Sequence, residues 1–356
     1  MSSSAEEKPL KLYILDSDNE NFHISAVIEG TGTAFDCLSY ADFDGDGINE
    51  MIIGYKMGSS LQQMAVYSVH DLRPTLLFTS NYSRFTCGDL TADGRADIFI
   101  LNTASADSAG EATLFSMMED GEVVSTSAMM SKNIESISKV MLGRLEQNKA
   151  AIFVDSAYST DSSDGTVTDI FAWYDSLKNI TLQPSELISS STERSYAVYC
   201  RDIDSDGITE IPKLRALPSR SETVYRVIDW YAFDRSGKST VKLTTYHNYT
   251  DGWYLAFPRS WRNSVSVRRQ DNISGERALV FSYEKTDKTV DFLKIYTQSG
   301  ENREERSELP GRFVLINLGD TIYAAEITQS AADAGIEISR EIIQDAFHII
   351  YSDWQS

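Results

Sequence analysis

Cysteine, histidine and positive charge are scarce in this sequence, and each shortage excludes a class of protein. Cys37, Cys87 and Cys200 are the only 3 cysteines in 356 residues. They are too few and too scattered for a disulfide framework or a cysteine-rich zinc site, and they read as buried free thiols. The 4 histidines, His23, His70, His247 and His348, stand isolated from one another and read as packed or surface residues. Lys and Arg number 32 against 53 Asp and Glu, a net charge of -21. That leaves no cationic face for a phosphate backbone or an anionic membrane, so no nucleic-acid partner is expected. No apolar run approaches the roughly 18 residues of a membrane span. The opening MSSSAEEKPL has no apolar core, although a chain from which an export signal had been removed would begin the same way. G-x-S-x-G, H-E-x-x-H, Walker and G-x-G-x-x-G motifs are all missing.

What the sequence does have is acid at fixed spacing. Asp42-Phe43-Asp44-Gly45-Asp46-Gly47-Ile48-Asn49-Glu50 runs straight into Met51-Ile52-Ile53. The pattern returns at Asp89–Asp97 before Ile98-Phe99-Ile100, and at Asp202–Glu210 before Ile211. All three read D-x-[DT]-x-D-G-x-x-[DE]. A fourth copy, Gly143-Arg144 to Val154, keeps the outline with basic and amide residues in place of the acids, so it has the strand without the site. With Arg144 as the counterpart of Asp42, Asp89 and Asp202, the starts lie 47, 55 and 58 residues apart. That is the size of a four-stranded propeller blade. Strands are expected at 35–40, 51–55, 63–69 and 74–79 in the first unit, with similar runs in the others. Helical periodicity is nearly absent before residue 320.

Crowded carboxylates repel one another unless a cation joins them. Positions one, three and five place side-chain oxygens on one inner surface, position seven offers a backbone carbonyl, and position nine returns a carboxylate. The expected ligands are Asp42, Asp44, Asp46, the Ile48 carbonyl and Glu50; Asp89, Thr91, Asp93, the Arg95 carbonyl and Asp97; and Asp202, Asp204, Asp206, the Ile208 carbonyl and Glu210. Gly47, Gly94 and Gly207 stand where a sharp turn favours positive φ. Six or seven oxygens on a flexible loop suit Ca2+ better than Mg2+, and zinc would want histidine or cysteine. An EF-hand is disfavoured, because Ile53 occupies the twelfth position where a bidentate glutamate is expected. Without metal, the same carboxylates would serve as caps for backbone amides in an Asp/Gly hairpin.

The loop and the aliphatic strand after it resemble the FG-GAP/VCBS repeat of integrin α-subunit propellers and of many bacterial surface and secreted proteins. The resemblance spans about residues 35–245. It implies β-propeller blades with structural calcium, up to three ions here. Only four units are recognisable, and the N-terminal strands at 10–15 and 23–29 are available to help close a ring of four to seven blades.

The pattern changes near residue 246. Residues 1–245 carry 36 acids and 20 bases, and 246–356 carry 17 and 12, so the acidity follows the repeats. Strands are expected at 253–257, 265–269, 278–283, 292–297, 313–318 and 321–327, with a charged loop at 300–310. Ile338, Ile342, Ile343, Ala346, Phe347, Ile349 and Ile350 recur at helical spacing. The expected division is a repeat domain over 1–245 and a small α+β domain over 246–356 that ends in an amphipathic helix. The Trp253–Trp261 run faintly resembles the fold of the photosystem PsbP subunit and its relatives. Trp253, Tyr254, Phe257 and Trp261 read as core ahead of a ligand platform. Asn81, Asn179, Asn248 and Asn272 begin glycosylation acceptor patterns. The composite expectation is a mainly β, non-enzymatic, calcium-stabilised binding or adhesion module, secreted or at a cell surface, with a protein or carbohydrate ligand. A carbohydrate-active enzyme and a structural part of a surface assembly are the alternatives.

Overall fold

The computed structural model describes residues 9–18, 21–58, 61–104, 110–160, 163–219, 223–271, 274–284 and 288–351. The protein is mainly β, built from antiparallel sheets, and among the described residues no closed barrel or ring of blades is found. Among the described residues no helix is long and apolar enough to cross a membrane. The chain forms two compact units, one of 1–209 with 233–238, the other of 210–232 with 239–356.

The first unit opens with a hairpin of β1 (Leu10–Asp18) and β2 (Asn21–Gly30). Three four-stranded sheets follow, each paired in chain order. The first contains β3 (Ala34–Ala41), β4 (Glu50–Lys56), β5 (Gln62–Ser68) and β6 (Thr75–Tyr82). The second contains β7 (Arg84–Gly88), β8 (Asp97–Asn102), β9 (Glu111–Met117) and β10 (Val123–Met129). The third contains β11 (Ile134–Glu146), β12 (Lys149–Ser159), β13 (Asp164–Trp173) and β14 (Leu177–Asn179). The expected strands of the first unit thus fall on β3 to β6, within three residues at each end.

Side chains alternate across a strand, and here both faces are buried. On β4, Met51, Ile53 and Tyr55 pack with Ile28 of the hairpin, while Ile52 packs with Met64, Val66 and, from the second sheet, Ile98 and Ile100. On β8, Phe99 and Leu101 face the other way and share a core with Ile152, Val154 and Phe171 of the third sheet. Hairpin and sheets therefore stack in chain order, with β4 and β8 each serving two cores.

The second unit begins with β15 (Glu210–Ala216), β16 (Arg226–Phe233), β17 (Ser239–Asn248) and β18 (Trp253–Phe257). The boundary expected between 245 and 246 falls inside β17, and the last repeat unit contributes its strands to the second unit rather than the first. Next come β19 (Val265–Arg269), β20 (Glu276–Glu284), β21 (Thr289–Ser299), the short helix α1 (Arg303–Ser307), β22 (Arg312–Asn317) and β23 (Thr321–Ile327). Then α2 (Gln329–Asp333), α3 (Arg340–Ala346) and β24 (Phe347–Ile349) end the described chain. Two five-stranded sheets result, ordered β15-β16-β17-β18-β24 and β19-β20-β21-β23-β22. They share a core that includes Trp253, Phe257, Trp261, Phe281, Phe292 and Ile343. The aromatic run at 253–261 is core, except that Tyr254 stacks between His247 and His348.

The amphipathic helix expected to run through Ile350 is a correction. It stops at Ala346, after 7 residues, and the chain turns into β24, which pairs with the edge of β18. An edge strand presents unpaired backbone groups, and Phe347 and Ile349, two apart, satisfy a strand's alternation as well as a helix's. The charged segment 300–310, expected as loop, contains α1.

Candidate metal centre

The first acidic loop joins β3 to β4, the second joins β7 to β8, and the third leads into β15. The same backbone is built three times. In each loop the sixth-position amide donates to the first aspartate: Gly47 N to Asp42 Oδ2 at 3.1 Å, Gly94 N to Asp89 Oδ2 at 3.0 Å and Gly207 N to Asp202 Oδ2 at 2.8 Å. The seventh-position amide donates to the fifth: Ile48 N to Asp46 Oδ1 at 2.7 Å, Arg95 N to Asp93 Oδ1 and Ile208 N to Asp206 Oδ1, both at 2.9 Å. Positions four and six are both left-handed, at Gly45 and Gly47, Ala92 and Gly94, Ser205 and Gly207. The fourth position was not anticipated, because alanine and serine give no warning of positive φ. Also unanticipated is the apolar plug at position two: Phe43, Leu90 and Ile203 are all buried under their loops.

Successive units are clipped together at the loops. Ala96 N donates to Asp42 O at 2.8 Å, and Thr209 N donates to Arg144 O at 2.9 Å. In both bonds the eighth residue of one loop reaches the first residue of an earlier copy. The Arg144 copy thus occupies a loop's place although it is a tight hairpin, with β11 and β12 separated only by Gln147 and Asn148.

The ninth residue opens the next strand in all three loops, as Glu50, Asp97 and Glu210. Glu50 Oε2 accepts from Phe43 N at 2.7 Å and Asp44 N at 3.3 Å. Its other oxygen, Oε1, is buried with no hydrogen-bond partner, on a side chain that is 0% exposed. Burial pushes the Glu50 carboxyl above its ordinary pKa; the amide bonds oppose this, and the charges of Asp44 and Asp46 add to it. Asp97 Oδ2 accepts from Leu90 N and Thr91 N, but its Oδ1 is closed by Ser116 Oγ at 2.5 Å. Glu210, the first residue of the second unit, has Lys242 Nζ 3.4 Å from its Oε1.

One oxygen from each of Asp42, Asp44 and Asp46 lies within 4.8 Å of the others, as do those of Asp202, Asp204 and Asp206. In the second loop Thr91 replaces an acid, and the Arg95 side chain stands on Asp93, Nη2 to Oδ2 at 2.6 Å. Burial pushes the Asp93 carboxyl upward, but the Arg95 guanidinium and amide outweigh it and hold the carboxyl below its ordinary value.

The sequence separates His70 from the loops, yet the structure brings it to the first one. It begins the 3₁₀ turn His70–Leu72 after β5. Its Nε2 lies 3.5 Å from Asp44 Oδ2 and 3.3 Å from Asp46 Oδ2. The bond to Asp44 and the charge of Asp46 raise its pKa. Nineteen residues of chain lie between Glu50 and His70, so no local signal announces the approach.

Of the glycosylation patterns, the Asn179 amide donates to Asp169 Oδ1 and the Asn248 amide to Asp251 Oδ2, while Asn272 lies outside the described residues. No protein-family model matches the chain and no curated protein matches it, so the chemistry of the loops rests on the geometry above.

Proposed function

We propose that the chain is a non-enzymatic binding or adhesion module of FG-GAP/VCBS-like propeller blades, braced by calcium and working outside the cytoplasm. The observation that carries the metal is the buried Glu50 Oε1. A buried, unpartnered carboxylate oxygen costs stability unless something positive meets it, and the Asp42, Asp44 and Asp46 carboxylates gather beside it. Asp42, Asp44, Asp46, Glu50 and the Ile48 carbonyl would hold one ion, and Asp202, Asp204, Asp206 and the Ile208 carbonyl a second. The ion would supply positive charge between strands and no reaction chemistry. In the second loop Arg95 takes that part. Weak sites of about 10⁻⁴ to 10⁻³ M suit compartments where calcium is plentiful, which supports an extracytoplasmic setting.

The test is thermal unfolding in millimolar calcium and in chelator, with bound calcium counted by elemental analysis. Calcium raising the midpoint, with two ions per chain, supports the proposal; no shift and no bound ion reject it.

A cleft of about 300 Å³ in the second unit, lined by Tyr225, Tyr246, Tyr249, Asp251 and Arg277 among others, favours a carbohydrate as one partner. Binding suits it better than hydrolysis: its carboxylates Asp251 and Asp271 are held by Arg277 and Arg269 rather than set as an acid and base pair. Glycan-array binding that is lost in Tyr249→Ala would support this partner.

A further inference from the structure

We propose that the first loop is a mixed oxygen and nitrogen metal site, in which the imidazole of His70 joins the carboxylates and turns the loop's preference from calcium towards manganese. This rests on the reading of that loop as a cation site. The backbone amides use both oxygens of Asp42 but only one of each other acid: Asp44 Oδ1 accepts from Asp46 N, Asp46 Oδ1 from Ile48 N and Glu50 Oε2 from Phe43 N. The unused oxygens are Asp44 Oδ2, Asp46 Oδ2 and Glu50 Oε1, and the first two are those that face His70 Nε2. One ligand atom from each of Asp44, Glu50 and His70 falls within a common 4.8 Å. Neighbouring ligands of one ion bound at about 2.0–2.3 Å stand roughly 3 Å apart, close to the 3.3 and 3.5 Å from Nε2 to the two aspartates.

Glu50 gives independent support. It is wholly buried, and its Oε1 has no hydrogen-bond partner. Water cannot serve that oxygen as it serves an exposed carboxylate, so a cation held between it and His70 removes a defect that the loop otherwise carries.

The turn that presents His70 is itself unusual. Asp71 and Leu72 are consecutive non-glycine residues with φ of 51° and 58°. Leucine in that region is costly, and such strain persists where surrounding structure demands it. Imidazole is a poor calcium ligand and a good one for first-row ions, while carboxylates accept manganese readily. Among the described residues the group at the third loop is Asp202, Asp204 and Asp206, with no histidine, so the two loops would sort ions between them.

The experiment uses the whole chain, stripped of metal and titrated separately with CaCl2 and MnCl2 by calorimetry, with pulsed EPR on the manganese form to read nitrogen coupling. The expected result is one manganese ion coupled to one imidazole nitrogen. His70→Ala should abolish the coupling and weaken manganese at that site by about tenfold or more, with calcium affinity changed less than about threefold. His70 is half exposed and supports no core, so His70→Asn serves as a second variant should alanine disturb the turn. Asp206→Asn should leave the nitrogen signal intact. Manganese bound without nitrogen coupling, or equal loss of both ions in His70→Ala, overturns the proposal. If Asp46→Asn removes a calcium ion while His70→Ala leaves manganese unchanged, the cation site stands and the histidine ligand is rejected. If the unaltered chain binds neither ion, both readings are rejected.

Discussion

The first loop has Asp44 and Ile48 at its third and seventh positions; the second has Thr91 and Arg95 there. Their backbones are nonetheless alike, with the same amide-to-carboxylate bonds and the same pair of left-handed residues. Loop shape therefore depends on the acids at positions one, five and nine. The need for a cation depends on positions three and seven and on what closes the ninth carboxylate. In the second loop Arg95 and Ser116 meet the acids from within the chain, whereas in the first Glu50 Oε1 has no partner at all.

The largest effects should come from the ninth position. Glu50→Ala and Asp97→Ala each strip a buried carboxylate from two backbone amides, and each should cost about 3 kcal/mol in urea unfolding. The comparison breaks if the two variants behave alike in calcium. Only Glu50→Ala should also reduce the stabilisation by calcium. Next in size is the ion itself: at a free concentration of about 100 times Kd, each site should add about 2.7 kcal/mol, lost on chelation. Asp46→Asn and Asp206→Asn should each remove one share, and Asp93→Asn none.

Arg95→Ile gives the second loop the residue type of the first. The ion pair is largely at the surface, with side chains 20% and 34% exposed, so the metal-free midpoint should fall by no more than about 2 °C. A new calcium-dependent rise in that variant would sharpen the contrast between the loops.

Proton linkage in the metal-free chain should be the smallest effect, and the two loops should differ in sign. Asp93 has a lowered pKa, so its contribution is present above the ordinary carboxylate value and is lost as pH falls through the lowered one. Glu50 has a raised pKa, so folding loses stability as pH climbs from the ordinary value through the raised one. Urea midpoints between about pH 3 and 7 should flatten at the acid end in Arg95→Ala and at the upper end in Glu50→Gln.

Much of this was legible in the sequence. Strands such as β4 and β8 announce themselves because three or four successive apolar residues follow an acidic turn, and the glycines at position six mark their own φ. Other features have no local cause. Ala92 and Ser205 are left-handed because the aspartates on either side bind the amides around them, an effect that no single residue carries. Arg95 was expected to offer its carbonyl, and its side chain proved the more telling part. His70 reaches the loop only because β4 and β5 pair in the register that they do. The helix at the end was overestimated because Phe347 and Ile349 fit two periods at once, and only the free edge of β18 decides between them.

A strand that is apolar on both faces carries no instruction about which side chain belongs to which side. Sliding β4 by one residue would send Ile52 into the core that holds Met51 and Ile53, at little loss of burial, and β8 has the same ambiguity. Glu50 and Asp97 remove it. Each is the first residue of its strand, pinned by two amides from the loop before it, so the strand enters its sheet in one phase only. The acidic loop is thus a frame marker for a two-sided strand. A single-residue deletion within 42–50 would read as a frameshift of side chains, turning the first sheet inside out while leaving its composition untouched.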